Sequence, residues 1–153
     1  MASTASLDID LTNFILGGLA YRASGTLAQD AGRSTVLAQY TVLAYDTTNE
    51  NWVPLTDVDA LDGTNVPSAI YMGADIAAAT IVAGDVDLQP ADLLIGGHCK
   101  VDKNKVVLEN SLTLASICLY VDTGGTNGSL GSIEQNLRKL GIFMGDVVDA
   151  SDD

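Results

Sequence analysis

Alternation with a period of two is the feature that most limits how this chain can fold. In TVLAQYTVLAY, Thr35 to Tyr45, the even-numbered residues Val36, Ala38, Tyr40, Val42 and Ala44 are all apolar, and Gln39 and Thr41 fall on the other face. A strand turns alternate side chains to opposite faces, so this pattern predicts a strand with one face packed inward. Asp46 to Glu50 (DTTNE) has turn chemistry, and NWVPL returns as a short strand. Pro54 cannot donate to a ladder, so that strand belongs at an edge or a bulge. Together these segments predict a hairpin.

The same logic extends through the middle of the chain. Asp57 to Pro67 reads as a loop and SAIYMGADI as an apolar strand ending near Asp75. IAAAT can turn helically. From Thr80 to Val121 the sequence alternates repeatedly, with Val82, Gly84, Val86 and Leu88 on one parity and Asp85 and Asp87 on the other; Gln89–Asp92 and Val101–Lys105 supply turns. The expected fold is mainly β, a small β-barrel or sandwich of β-tulip-like shape.

Both ends depart from that pattern. Residues 1–34 are rich in Ala, Ser, Thr and Gly, with scattered Leu11, Phe14, Ile15, Leu16, Leu19 and Tyr21, and Gly17, Gly18, Gly25 and Gly32 interrupt regular elements. They predict an extended N-terminal arm, loosely held in the isolated chain, followed by a β-rich domain over 35–153. Near the other end, Asp122 to Gly131 reads as a flexible loop. SIEQNLRKLG then predicts one short helix over 132–140: Ser132 and Gln135 form a capping box, Ile133, Leu137 and Leu140 a stripe, and Gly141 a stop. Ile142, Phe143 and Met144 can add a last strand before an acidic, solvated end.

Composition narrows the function. Twenty Asp and Glu against seven Lys and Arg give a formal net charge of -13, which opposes the phosphate neutralisation that nucleic-acid binding requires. One His, two Cys and 5% aromatic residues leave few groups for acid–base, nucleophilic or metal chemistry, and this points away from an enzyme and from any cofactor. No apolar run reaches the roughly 20 residues that cross a bilayer, and Asp8 and Asp10 sit where a secretory signal is uncharged. A soluble protein made in the cytoplasm, without a membrane partner, is expected.

Individual motifs carry little chemistry. His98 and Cys99 lack the second close ligand pair that a structural zinc needs; a single bridge between Cys99 and Cys118 is possible, but two reduced, partly buried thiols are the favoured reading. Asp57, Asp59, Asp62 and Gly63 have the wrong spacing for a calcium loop, and GGTNGSLG lacks the Lys of a phosphate cradle. Asp85 and Asp87 share the wet face of a strand. Trp52 with Tyr45 and Tyr71 could build a sugar-stacking platform, although β proteins more often pack such residues.

Three stretches in this order resemble a known family: Thr35 to Leu55 (TVLAQYTVLAYDTTNENWVPL), Asp62 to Leu88 (DGTNVPSAIYMGADIAAATIVAGDVDL) and Ser132 to Met144 (SIEQNLRKLGIFM). The first is similar to the apolar strand, hairpin and Trp-Val-Pro return of the head decoration proteins of tailed bacteriophages, the lambda protein D-like family. The second is similar to that family's Gly-containing turn and the strand after it. The resemblance implies a small, mostly β capsid-stabilising protein of the virion. It implies a homotrimer bound to the outer surface of the expanded bacteriophage head, with the N-terminal arm adding to the sheet of the major capsid protein. On that reading Leu11, Phe14, Ile15, Leu16, Leu19 and Tyr21 are the candidate capsid-docking residues, with no catalytic site, cofactor, metal, nucleic acid or small-molecule substrate. The chain departs from the family in a longer glycine-rich loop before the helix and in the Asp8 and Asp10 of the arm. The alternative is a monomeric β-sandwich carbohydrate-binding module using Trp52.

Overall fold

A computed structural model describes residues 5–7, 14–56, 64–121 and 127–146. The strands are β1 (Ala5–Leu7), β2 (Ile15–Leu27), β3 (Val42–Asp46), β4 (Asn51–Pro54), β5 (Pro67–Tyr71), β6 (Val86–Asp102), β7 (Ile117–Val121), β8 (Asn127–Ser132) and β9 (Ile142–Gly145). Two short helices, α1 (Ala78–Ala83) and α2 (Ile133–Lys139), complete the described secondary structure. The fold is mainly β, as expected, and β2, β4, β3, β5 and β6 close into a five-stranded barrel.

Closure depends on the longest strands. β2 and β6 pair antiparallel from Ile15↔Val101 to Leu27↔Val86, with three register shifts. β3 and β4 form the expected hairpin, from Leu43↔Pro54 to Asp46↔Asn51. Its turn is held by Asp46, whose carboxylate accepts from the Thr48 N–H at 2.8 Å and from the Asn49 side chain at 2.8 Å. Those bonds, the Asn49 side chain's foremost, hold its carboxyl below the usual carboxylate range. The ring closes where Leu27 meets Trp52 in parallel and the Ala28 N–H donates to the Trp52 carbonyl at 2.9 Å. Gly25 makes room there: a Cβ on it would lie 2.6 Å from the Trp52 indole nitrogen.

Two apolar clusters lie on opposite faces of this sheet. Leu27, Leu43, Ala69, Tyr71, Leu88 and Leu93, with half-buried Trp52, come from all five closing strands and therefore fill the barrel; Ile81 of α1 and Leu37 join them. The other cluster packs outside, where α2 contributes Ile133 and Leu137 against Val42, Ala44, Ile70, Leu94 and Cys99. Arg33 ties the crossing between β2 and β3 to the 106–116 segment through a forked pair with Glu109, one arm at 3.0 Å, and it donates to the Thr35 and Val36 carbonyls.

The N-terminal expectation is corrected. An arm over 1–34 does not describe the chain from Phe14 onward, because β2 is a barrel strand and the domain cannot begin at 35. The glycines that suggested interruption are accommodated inside β2. At Gly18, φ is +95° and a Cβ would stand 2.1 Å from the His98 carbonyl oxygen, so only glycine lets the two strands approach there.

Four local expectations also shift. Regular pairing after the crossing starts at Val42 rather than Thr35, since Tyr40 has φ +71° in a turn. The helical turn expected near IAAAT is α1 and runs to Ala83, so β6 starts only at Val86. Gln89–Asp92 does turn, with the Gln89 N–H bonded to Asp92 at 2.8 Å, but as an excursion inside β6, between the pairs Gly25↔Leu88 and Ala23↔Leu93. Asn127–Gly131, expected as loop, belongs to β8 and pairs with β7. The capping box of α2 is present, with Ser132 and Gln135 bonding each other's N–H at 3.1 and 2.8 Å. β9 adds to β6 in parallel as the last strand.

Candidate interaction surface

Beyond the barrel, the first half of β2 and the last half of β6 continue as an open extension, flanked by β1 on one edge and β9 on the other. Residues paired across neighbouring strands project to the same face. Leu19 is opposite His98, Tyr21 opposite Gly96, and Lys100 is opposite both Gly17 on β2 and Phe143 on β9. Leu19, Tyr21, His98, Lys100 and Phe143 thus share one face. Ala20, Cys99 and Ile142 turn the other way into the core.

This outward face is apolar where a water-facing sheet is usually polar. Leu19 and Tyr21 are 45% and 42% exposed, and Ile95, in the bulge beside Tyr21, is exposed as well. The His98 ring meets Phe143 edge-on at 5.0 Å, and the two border an open concavity of about 370 Å³ floored by Gly17, Gly18 and Cys99. None of these residues is acidic, in a chain of net charge -13. Lys100, Lys103 and Lys105 give three of the seven Lys and Arg to this end of β6, where Lys103 pairs with Asp146 at 3.3 Å.

The candidate docking residues divide. Phe14 (0% exposed) and Ile15 (5%) belong to the core, and the Phe14 ring stacks on Tyr40 with centroids 3.9 Å apart, so neither can meet a partner without unfolding this region. Leu16 is half-buried. Leu19 and Tyr21 lie on the exposed face, while Leu11 lies outside the described residues. Ile95 and Phe143, together with His98, complete the face and were not in the sequence-based set. The alternation of Gly96, His98 and Lys100 is the local signal for a common face, but its neighbours come from strands far apart in sequence.

The remaining candidates offer no reactive constellation. Cys99 and Cys118 are free and buried, and burial pushes the Cys99 thiol up to about 11, outweighing the opposing pull of Arg22. Cys118 is raised for the same reason. Both therefore hold their protons at neutral pH and are poor nucleophiles. Tyr71 is buried inside the barrel, donates to the Ala74 carbonyl at 2.6 Å, and is raised to about 12 by burial and then by Asp92 and Asp75. It cannot share a sugar platform with Trp52 and Tyr45, which meet edge-on at 5.1 Å. Asp57, Asp59, Asp62 and Gly63 lie outside the described residues. Among the described residues, no three His, Cys, Asp or Glu side chains gather as a metal site would require, and no helix is long and apolar enough to cross a membrane. No family model, curated protein or solved structure matches the chain.

Proposed function

We propose that this chain is a capsid decoration protein of a tailed-bacteriophage head, which binds the outer surface of the expanded shell as a homotrimer and stabilises it without catalysis. The observation that carries the reading is the apolar face of Leu19, Tyr21, Ile95 and Phe143, none of them acidic, in a chain of formal net charge -13. Apolar residues gathered on an open sheet face mark a surface that another protein covers. The resemblance of Thr35–Leu55, Asp62–Leu88 and Ser132–Met144 to the decoration family supplies the kind of partner, and a closed β fold with protonated, buried thiols is consistent with a mechanical role.

The mechanism is linkage. A ligand that binds the expanded shell and not its precursors stabilises that state by its binding free energy, and three linked contacts multiply a modest affinity. The high negative charge keeps unbound copies soluble and away from packaged DNA.

Incubation with empty, expanded, undecorated shells of the phage that encodes the chain tests the reading. The chain should pellet with the shells, saturate, and raise the temperature at which they fall apart. A chain that stays in the supernatant at micromolar concentration, with shell melting unchanged, overturns it.

A further inference from the structure

We infer that the concavity over Gly17 and Gly18 is a socket for one apolar side chain of a partner protein, a side chain with a carboxylate next to it. The socket rests on the decoration reading and deepens it, because it names what the shell must present at the point of contact.

The hollow has a cause in the sequence. On the outward face of β2 the alternation runs Gly17, Leu19, Tyr21, and the first of these positions has no side chain. A Cβ built on Gly17 meets nothing within 4 Å, so the space above it is open. The floor continues through Gly18 and Cys99, where β2 and β6 lie too close for any residue but glycine at 18. The edge-on rings of His98 and Phe143, 5.0 Å apart, border a volume of about 370 Å³. An apolar cavity of about 150 Å³ accepts benzene, so this open hollow has room for one aromatic or branched aliphatic side chain and the backbone that carries it.

Lys100 supplies the polar half of the match. In the register it stands between Gly17 and Phe143, but its stem leans across Gly145, where a Cβ would lie 2.8 Å from the Lys100 Cγ. Glycine at 145 thus lets the side chain lie along β9 and leaves the space above Gly17 clear. Lys103 is paired with Asp146, whereas Lys100 has no carboxylate partner among the described residues, and no residue lining the hollow is acidic. A purely apolar knob would strip water from the exposed ammonium without compensation. A carboxylate beside the knob offsets that loss, and a cation there would add repulsion.

Gly17→Leu is the decisive variant, because the new side chain enters open space at a position without positive φ and fills the hollow from within. Wild type should bind phenylpropionate, a ring with a carboxylate on a short stem, at millimolar concentration, with saturating amide chemical-shift changes at Gly17, Gly18, His98 and Lys100. Phenylethylammonium, the same ring with a cation, should leave those amides unmoved. In Gly17→Leu the phenylpropionate response should vanish with an unchanged far-ultraviolet circular dichroism spectrum, and binding to empty expanded shells should weaken by about tenfold or more. Equal binding of the two probes, or no binding of phenylpropionate, overturns the inference. So does a folded Gly17→Leu that still takes phenylpropionate or pellets with shells like wild type. Should Gly17→Leu not fold, Lys100→Met decides: it keeps the stem and removes the ammonium, so it should weaken phenylpropionate severalfold, and an unchanged affinity overturns the inference. The probes read the hollow without shells. Saturable binding that Gly17→Leu abolishes, in a chain that never pellets, upholds the chemistry of the socket and overturns the decoration reading alone.

Discussion

The two ends of the β2–β6 pair use the same strands to opposite effect. At the barrel end, Leu27 and Leu88 point into a ring that β4, β3 and β5 close, so the sheet there has no edge. At the extension end the same two strands are covered on one face by α2 and the outer cluster, and their other face meets solvent with Leu19 and Tyr21. Closure satisfies backbone hydrogen bonds and buries side chains within one chain. The open extension has its edges paired by β1 and β9 and leaves one side-chain face to solvent. Stability should therefore reside in the barrel and, on the proposed reading, recognition in the extension.

The largest test of that division is Leu43→Ala. Leu43 is fully buried inside the barrel, and truncation should cost about 2–5 kcal/mol, because surrounding strands locked in a ring relax poorly into a cavity. Urea unfolding of the variant checks it. A loss below about 1 kcal/mol would mean that the interior packs loosely and that the barrel is not the stable half. Next in size is Gly18→Ala, on the extension. The positive φ and the His98 carbonyl oxygen 2.1 Å from the new Cβ should cost about 1–3 kcal/mol, read in the same way. That outcome would sharpen the comparison by separating the backbone of the extension, which is tightly built, from its exposed side chains.

The sequence was legible where signals are local. Ser132, Gln135 and Gly141 announce α2 because a capping box and a positive-φ stop act within one or two turns of chain. The β3–β4 hairpin is equally local, since Asp46 organises its own turn. Closure was not legible, because Leu27 meets Trp52 and Ile15 meets Val101 across long separations that no short pattern encodes. Gly17 and Gly18 misled for a related reason: in sequence, a glycine that lets two strands approach closely looks the same as one that ends a strand. Buried Val42, Leu43 and Ala44 show a further limit, as a strand covered on both faces loses strict alternation. As for the surface, Leu19 and Tyr21 were identifiable as apolar residues in a polar context. The pairing of β2 with β6, and of β6 with β9, was needed to set them beside His98 and Phe143.

The smallest expected effect is the most informative for function. Leu19→Ser and Tyr21→Ser remove apolar side chains that are nearly half exposed, so each should change the stability of the isolated chain by no more than about 0.5 kcal/mol. The measurement belongs on the chain alone, because a bound partner stabilises the folded state by mass action and would add the interface to the reading. With empty expanded shells present, the same substitutions should raise the concentration needed to half-saturate the shells. A residue that costs little alone and more in company contributes to an interface, whereas one that costs equally with and without a partner is a packing residue of its own subunit. If Leu19→Ser and Tyr21→Ser behave in the second way, the extension is a second core rather than a contact surface, and the contrast between the two ends of β2 and β6 fails.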